Sequence, residues 1–391
     1  MRTVGTQARG IRTPIVKEGD NLVETVVSSL KKSWESEDYQ LRDRDVIGIT
    51  ESLLARAQGN YVNINDIAEE IKEKFPNEIG LIFPILSRNR FSMILKAIAR
   101  SGRKIYLQLS YPSDEVGNHL MDIEQLDELN INPSTDVLSE KDYYKYFSDF
   151  KHPFTGLDYI QLYKNIAEET EIEIILANKP ESILEYTKDV LVADIHTRSR
   201  SKNILKKAGA NIIYGLDDLC TVDNGHGFNP EYGLLGSNTA SENSIKLFPK
   251  DGKKFVNQVQ QRIKELTGKK VEVMIYGDGA FKDPVGKIWE LADPVVSPAY
   301  TAGLEGTPNE VKLKYLADNK LEDLKGEALL EAMKKEINEN KSQSSDDKAL
   351  GTTPRQLTDL LGSLCDLISG SGDKGTPVVL IQGYFDNLAN D

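Results

Sequence analysis

Residues 270–290 read KVEVMIYGDGAFKDPVGKIWE. Apolar residues stand at alternate positions from Val271 to Ile275, and a spacing of two predicts a β-strand. The predicted strand ends at Gly277-Asp278-Gly279, so a carboxylate follows it directly, between two residues that tolerate unusual backbone angles. This arrangement suits a metal ligand, Asp278, and it equally suits a plain turn.

Two further loops share this composition. One is Asp223–Gly227 (DNGHG), and the other is Gly370–Gly375 (GSGDKG) near the C-terminus. Each lies next to an apolar run. Backbone N–H groups of glycine loops bind phosphate, and carboxylates bind hard cations. The three loops together predict one shared site for a phosphate group and a divalent cation.

Composition narrows the class of protein. The chain has 391 residues, of which 39% are hydrophobic and 28% are charged, with a formal net charge of −13. That acidity argues against nucleic acid as a partner, because nucleic-acid-binding proteins usually present a basic face. No run approaches the roughly 20 apolar residues of a membrane span, and no signal-type segment opens the chain. We therefore expect no membrane association.

The cysteine content indicates a cellular compartment. Cys220 and Cys365 lie far apart and lack CxxC spacing. They therefore predict neither a disulfide framework nor a zinc site, and a reducing cytoplasm fits best.

The two ends of the chain contain regular patterns. Asn21 begins a helix predicted to reach about Lys32, with Glu24 completing a capping-box pattern. Residues 45–50 predict a strand and residues 51–59 a short helix. Ser52 and Arg56 would share one face of that helix, either as a site or as a solvated surface. A helix over 254–266, an exposed helix up to about 339, a helix over 357–368 and a buried strand over 377–381 follow.

The middle of the chain alternates between strands and helices. Strands are predicted at 104–110, 171–177 and 190–195, and helices at 64–75, 88–100 and 198–207. This alternation predicts a small sheet covered by helices. Two basic clusters, one from Arg88 to Arg103 and one from Arg198 to Lys202, are able to hold an anion, although basic helix faces are usually solvated.

Four segments, in order, resemble the coenzyme F420 γ-glutamyl ligase family. Thr13–Leu22 (TPIVKEGDNL) is similar to the family's opening, and Asp45–Gly59 (DVIGITESLLARAQG) resembles its second block. Arg262–Val271 is similar to the helix and strand before its metal-binding aspartate, and Ser369–Val379 resembles its nucleotide-contacting end.

The resemblance implies an enzyme that uses GTP (or ATP) and Mg²⁺ or Mn²⁺ to attach L-glutamate to an acidic small-molecule acceptor, a deazaflavin or folate-like cofactor precursor. It implies a homodimer. It also implies Asp278 and Arg56 as catalytic residues and Asp278 and Asp223 as metal ligands. The nucleotide-binding residues that it implies are Pro14, Ile15, Val16, Ser52, Arg56, Asn238, Gly370, Gly372, Lys374 and Gly375.

The chain departs from the family pattern at two points. Arg56 stands where the family has lysine, and glycine falls near position 227 where the family has a second metal aspartate. Asp223 is the predicted substitute and His226 a weaker one. These departures leave two other functions open, a nucleotide-binding scaffold without catalysis and a phosphotransferase.

The predicted fold class is α+β. We expect a ligase-like core of mixed sheets and helices formed by residues 1–60 and 210–391, with an inserted α/β domain at 61–209.

Overall fold

The computed structural model describes residues 3–153, 155–277, 281–282, 289–290, 295–308, 311–339, 355–370 and 372–389. Its strands are β1 (Gln7–Ile11), β2 (Val46–Thr50), β3 (Tyr61–Asn63), β4 (Ile79–Ile82), β5 (Ile105–Leu109), β6 (Leu138–Ser139), β7 (Ile172–Leu176), β8 (Asp189–Val192), β9 (Ile212–Gly215), β10 (Asn238–Ser241), β11 (Ser244–Lys246), β12 (Glu272–Tyr276), β13 (Phe281–Lys282), β14 (Trp289–Glu290), β15 (Ala299–Tyr300) and β16 (Val378–Gln382). Its α-helices are α1 (Leu22–Ser36), α2 (Glu51–Ala57), α3 (Ile64–Lys74), α4 (Phe91–Arg100), α5 (Ile123–Glu128), α6 (Glu140–Phe147), α7 (Tyr159–Ile166), α8 (Arg198–Ala208), α9 (Gly252–Thr267), α10 (Leu313–Tyr315), α11 (Gly326–Glu339) and α12 (Leu357–Ser369). Mixed sheets and helices confirm the predicted α+β class.

A five-stranded sheet has the order β1-β16-β2-β12-β15. Only β2 and β12 pair in parallel, and the other neighbours are antiparallel. The central strands are continuous apolar runs, as a sheet buried on both faces requires. Helices α1 and α9 cover one face and α12 covers the other.

The helices of this unit follow the sequence patterns. The Asn21 side chain accepts a hydrogen bond from the Glu24 N–H and begins α1, which runs one turn beyond the predicted end at Lys32. Helix α9 stops at Gly268, whose φ of +72° ends the helix in the left-handed conformation. The predictions of α1, α2, α9, α12, β2, β12 and β16 are confirmed.

A six-stranded sheet has the order β6-β7-β5-β4-β8-β9 and is parallel except at β6. Helices α3, α4 and α7 pack on one face, and α8 packs on the other with the 3₁₀ segment Pro180–Glu185. The predicted strands and helices of the middle region are confirmed, and β3, β4, β6, α5, α6 and α7 were not predicted.

A three-stranded sheet, β10-β11-β3, lies between these two units. Strand β9 and side chains as far as Leu247 belong to the same apolar cluster as the six-stranded sheet. The division at 61–209 stays a prediction, and this packing favours placing its second end near Leu247.

Two simpler features bear on the sequence predictions. Cys220 and Cys365 are both buried and free, as the absence of a disulfide pattern predicted. None of the helices in the described part of the chain combines the length and hydrophobicity that crossing a bilayer requires.

Candidate functional site

The five-stranded sheet brings four chain segments to one edge. Because β2 and β12 are parallel, Thr50 and Tyr276 end them side by side. The antiparallel partners β16 and β1 bring Val378 and Ile11 to the same row. We call this end of the sheet the carboxyl edge. The second and fourth of the resembling segments reach it directly, and the first does so through the chain that follows Ile11. The third, residues 262–271, ends at the opposite end of β12, before Glu272.

Direct contacts hold the segments together beyond the strands. Thr13 donates its N–H to the Gly375 carbonyl at 3.3 Å, and Thr50 donates to the Pro377 carbonyl at 3.0 Å. The Tyr276 hydroxyl donates to the same Pro377 carbonyl at 3.4 Å. Residues more than 300 positions apart in sequence, such as Thr13 and Gly375, therefore line one rim, as a shared site requires.

The predicted residues of the opening segment divide by exposure. Pro14 is exposed and Ile15 is 83% exposed, whereas Val16 is 3% exposed and packs in the core under α1. The side chain of Ile15 is therefore open to a ligand, and Val16 is able to offer only its backbone.

Helix α2 starts at the carboxyl edge immediately after Thr50. Ser52 is half-buried and Arg56 is exposed. Burial raises the pKa of the Tyr61 hydroxyl above its ordinary value, and the nearby charge of Arg56 opposes that rise. Arg56 thus lies close to Tyr61, at the far end of α2 from the sheet.

A buried ion pair stands at the start of α2. Lys246 Nζ on β11 lies 2.6 Å from Glu51 Oε1, and the side chains are only 10% and 7% exposed. Asn238 is the direct partner of Lys246 across β10 and β11, so its side chain projects from the same face of that small sheet. The sequence patterns gave no sign of Glu51 or Lys246 because the two residues are 195 positions apart.

The C-terminal glycine loop also reaches the carboxyl edge. Gly370 and Gly375 have φ of +63° and +64°, and residues 372–374 form one 3₁₀ turn between them. Lys374 is exposed and its side chain lies over Gly370. The N–H groups of Gly370 and Gly375 are bonded to the carbonyl groups of Asp366 and Gly372, so an anion would meet the exposed residues 372–374 instead. Ser371 lies outside the described residues.

Helix α9 directs its N-terminus to the same edge. A Cβ atom built on Gly252 would lie 2.8 Å from Ala299 Cβ and 3.0 Å from Ile275 Cδ1, which are paired on β15 and β12. This 16-residue helix therefore begins beside the end of β12. A helix N-terminus favours a negative charge, and sequence reading had not assigned this one to the site.

A cavity of about 560 Å³ lies next to the carboxyl edge. We call it the junction cavity. Backbone of 59–63 forms one wall and residues 223–227 form another, and the charged or titratable side chains of Tyr61, Asp66, Asp223, His226 and Lys250 line it. Gln58 exchanges two hydrogen bonds with the Lys250 backbone, which ties this cavity to the start of α9.

The loop 223–227 shows why glycine, and not the family's second metal aspartate, stands at position 227. Gly227 donates its N–H to the Tyr61 carbonyl, and a Cβ atom at position 227 would lie 2.4 Å from that carbonyl oxygen. Position 227 is therefore closed to aspartate. Asp223 is exposed at the cavity wall, and His226 Nδ1 lies 2.9 Å from the Gly227 carbonyl oxygen. Because a carbonyl only accepts, Nδ1 is the donor in this contact.

Only part of the predicted metal site lies within the described residues. Asp278, Gly279 and Asp283 lie outside the described residues, although Gly277 is held at the carboxyl edge by its N–H bond to Val296. Within the described ranges, no group of three or more His, Cys, Asp or Glu side chains is arranged to hold a metal ion. A metal at this place would need Asp223 together with Asp278.

Residues 10–383 match the family described as F420-0:Gamma-glutamyl ligase, which spans nearly the whole chain. No curated protein matches the chain.

Proposed function

Because the chain belongs to the F420-0:gamma-glutamyl ligase family, whose members are amide-bond-forming enzymes, we propose that it is a nucleotide-dependent and divalent-metal-dependent ligase. The family implies L-glutamate and an F420-type substrate. The proposed reaction joins L-glutamate to that acidic acceptor, a deazaflavin or folate-like precursor, with GTP or ATP as the energy source. The observation that carries the proposal is the meeting of three of the four resembling segments at the carboxyl edge, where β12, the strand that follows the remaining segment, also ends.

The nucleotide phosphates are proposed to lie across the carboxyl edge. The exposed turn at residues 372–374 and the N-terminus of α9 both favour anions there. Lys374 adds positive charge at the rim, and Arg56 adds it at the far end of α2, beside Tyr61. An arginine at position 56 would grip two phosphate oxygens at once, which a lysine does not do.

The metal, Mg²⁺ or Mn²⁺, is proposed to be held by Asp278 and Asp223. Carboxylate oxygens are the preferred protein ligands of such ions, and the acidic residue at 223 compensates for the position closed at 227. Once bound, the metal neutralises phosphate charge and orients the terminal phosphate.

The chemistry follows from the poor reactivity of a carboxylate. One carboxylate oxygen of the acceptor attacks the terminal phosphorus, and the nucleoside diphosphate leaves. The amine of L-glutamate then attacks the resulting acyl phosphate, inorganic phosphate leaves, and the ammonium protons pass to solvent. Binding acceptor and amine in the junction cavity, next to the edge, supplies the proximity that this second step needs.

Product formation tests the proposal. Purified protein with GTP, MgCl₂, L-glutamate and a deazaflavin acceptor is expected to give an acceptor heavier by one glutamyl residue, detected by mass spectrometry. Asp278→Asn is expected to lower turnover at least 100-fold, and Asp223→Asn to lower it similarly. Asp127→Asn, on exposed α5, serves as the matched control. Full turnover in the Asp278→Asn variant would refute the assignment.

A nucleotide-binding scaffold is the second candidate, and the closure of position 227 favours it. Such a protein would bind GTP without needing a metal and would yield no product with any amine. Calorimetric titration with GTP, with and without MgCl₂, separates the two functions.

Assembly and location are further proposals. We expect a homodimer, with no nucleic-acid or membrane partner, in the cytoplasm. Sedimentation equilibrium checks the first of these, and a monomer at micromolar concentration would contradict it.

A further inference from the structure

The six-stranded sheet has a topological feature at which ligands bind in open α/β sheets of other proteins. After β4 the chain enters α4 on one face of the sheet, and after β8 it enters α8 on the opposite face. Strands β4 and β8 are adjacent and parallel, with Ile82 beside Val192. A crevice opens outside the carboxyl ends of two such strands, and ligands bind there in open α/β sheets. We call the space between residues 83–90 and 193–197 the switch-point crevice.

A carboxylate of the chain itself crosses this crevice. Glu115 follows β5, yet its carboxylate accepts the N–H groups of Ile195 and His196 in the loop after β8. Since β4 stands between β5 and β8, the Glu115 side chain passes over the end of β4. Two successive N–H groups just before a helix form a cradle that binds an anion.

The charges around the cradle also favour an anion. Helix α8 has Arg198 and Arg200 in its first turn, with no acidic residue there, and the N-cap residue Thr197 makes no side-chain bond to the helix backbone. Arg198 Nε is paired with Asp217 Oδ2 at 3.0 Å, so Arg200, which is exposed, is the cation that would meet an added anion. Helix α4 likewise starts after Arg90 without an acidic residue in its first turn. Positive side chains oppose a helix dipole at its N-terminus, and a bound anion would offset that cost.

Asp194 supplies an independent sign of a ligand. It is 1% exposed, and its Oδ2 accepts hydrogen bonds from Thr197 and Ser201. Its Oδ1 is buried without a hydrogen-bond partner among the residues described. Burial raises the pKa of Asp194 and the Glu115 charge raises it further, so the two carboxyl groups lie close together at the cradle. A buried oxygen of this kind calls for a donor.

We propose that the switch-point crevice binds a small phosphate monoester that also carries a hydroxyl group. The phosphate takes the place of the Glu115 carboxylate on the N–H groups of Ile195 and His196, with Arg200 and the α8 N-terminus neutralising it. The hydroxyl donates to Asp194 Oδ1. Phosphate suits this place better than a carboxylate because a monoester carries about −1.5 to −2 charges at neutral pH. The site belongs to the six-stranded sheet and is separate from the carboxyl edge.

Calorimetry on the full-length protein tests this. Ribose 5-phosphate is expected to bind, inorganic phosphate to bind more weakly, and ribose not to bind. Glu115→Gln is expected to tighten ribose 5-phosphate about tenfold, because it removes the competing charge. Arg200→Gln is expected to weaken it about tenfold, whereas Lys207→Gln, the same charge change at the other end of α8, is expected to leave it unchanged.

Several results would overturn the proposal. One is that ribose 5-phosphate binds neither the native protein nor the Glu115→Gln variant at millimolar concentration. A second is that the Arg200 and Lys207 variants have equal effects. The others are that L-glutamate binds more tightly than ribose 5-phosphate, or that GTP displaces ribose 5-phosphate. Displacement by GTP would place the ligand at the carboxyl edge. None of these results bears on whether the protein forms an amide bond.

Discussion

At the scale of single residues, Gly227 is fixed by the backbone of Tyr61. Gly227→Ala is expected to lower the free energy of unfolding by about 2–3 kcal/mol, because its Cβ would lie 2.4 Å from the Tyr61 carbonyl oxygen. Denaturant titration measures this. Gly5→Ala is the control, since nothing lies within 4 Å of a Cβ there. Equal stability of the two variants would show that the loop yields, and position 227 would then be open to aspartate.

The pKa of Asp114 is expected to differ measurably from the ordinary value of an aspartate. Burial raises its pKa to about 6, against the opposing effect of N–H bonds from Asn118, Leu86 and Val116. The folded state therefore holds its proton more tightly than the unfolded state. This contribution is favourable at pH 4 and is lost as the pH rises through about 6, a change of about 3 kcal/mol.

Carbon NMR of the Asp114 carboxyl group checks this value directly. A midpoint near 6 is expected. Asp142 serves as the control, because the Ser139 hydroxyl holds its pKa below the ordinary value. An Asp114 midpoint below 4 would mean that its N–H bonds outweigh burial.

Single residues also show what the sequence is able to reveal. Asp223 and Arg56 could be proposed because they sit in recognisable local patterns; Asp223 lines the junction cavity and Arg56 lies near Tyr61, and their roles stay predictions. Glu51, Lys246 and the Glu115 contact were not found. Each depends on a pairing between distant segments, and spacing along a chain carries no information about such pairs.

At the scale of elements, the Glu51–Lys246 pair joins α2 to β11. Removing one residue leaves a buried charge without its ion-pair partner, so Glu51→Leu and Lys246→Met are each expected to lower the free energy of unfolding by about 3–5 kcal/mol. The double variant Glu51→Leu/Lys246→Met is expected to recover most of the loss. Denaturant titration completes this double-mutant cycle.

The exposed pair Lys31–Glu35 is the control for that cycle. Its nitrogen and oxygen lie 3.7 Å apart, and its side chains are 49% and 58% exposed. Breaking it is expected to cost less than about 0.5 kcal/mol. A similar small loss at Glu51 would show that water reaches that pair.

Elements differ in how well their sequences specify them. Helices α1 and α9 have clear apolar periodicity and clear ends, so they could be predicted. Strand β4 reads IGLI, four residues with an internal glycine, and a short apolar run does not by itself distinguish a strand from a buried helix. Strand β1 reads QARGI and forms the edge of its sheet, where only its pairing with β16 defines it.

At the scale of the whole molecule, two sheets have separate apolar clusters and a small third sheet lies between them. The alternation of the middle region predicted the larger sheet. It did not predict that β9 and the chain as far as Leu247 pack with that sheet, because this depends on which surface the returning chain covers. The carboxyl edge could be anticipated only through the family resemblance, since strand order is not written in any one segment.

Because the two sheets have separate apolar clusters, we expect each ligand to protect a different set of segments from amide hydrogen exchange. GTP with MgCl₂ is expected to slow amide hydrogen exchange at residues 12–16, 50–56 and 372–377, which meet at the carboxyl edge or in α2 beside it. Ribose 5-phosphate is expected to slow exchange at residues 194–201 and to leave those segments unchanged. Strand β5 lies in the core of the six-stranded sheet and serves as an internal reference in both experiments. Exchange mass spectrometry resolves these segments. Equal protection of both regions by either ligand would mean that the two sites are coupled through the β3-β11-β10 sheet. Variants that break the Glu51–Lys246 pair would then test that coupling.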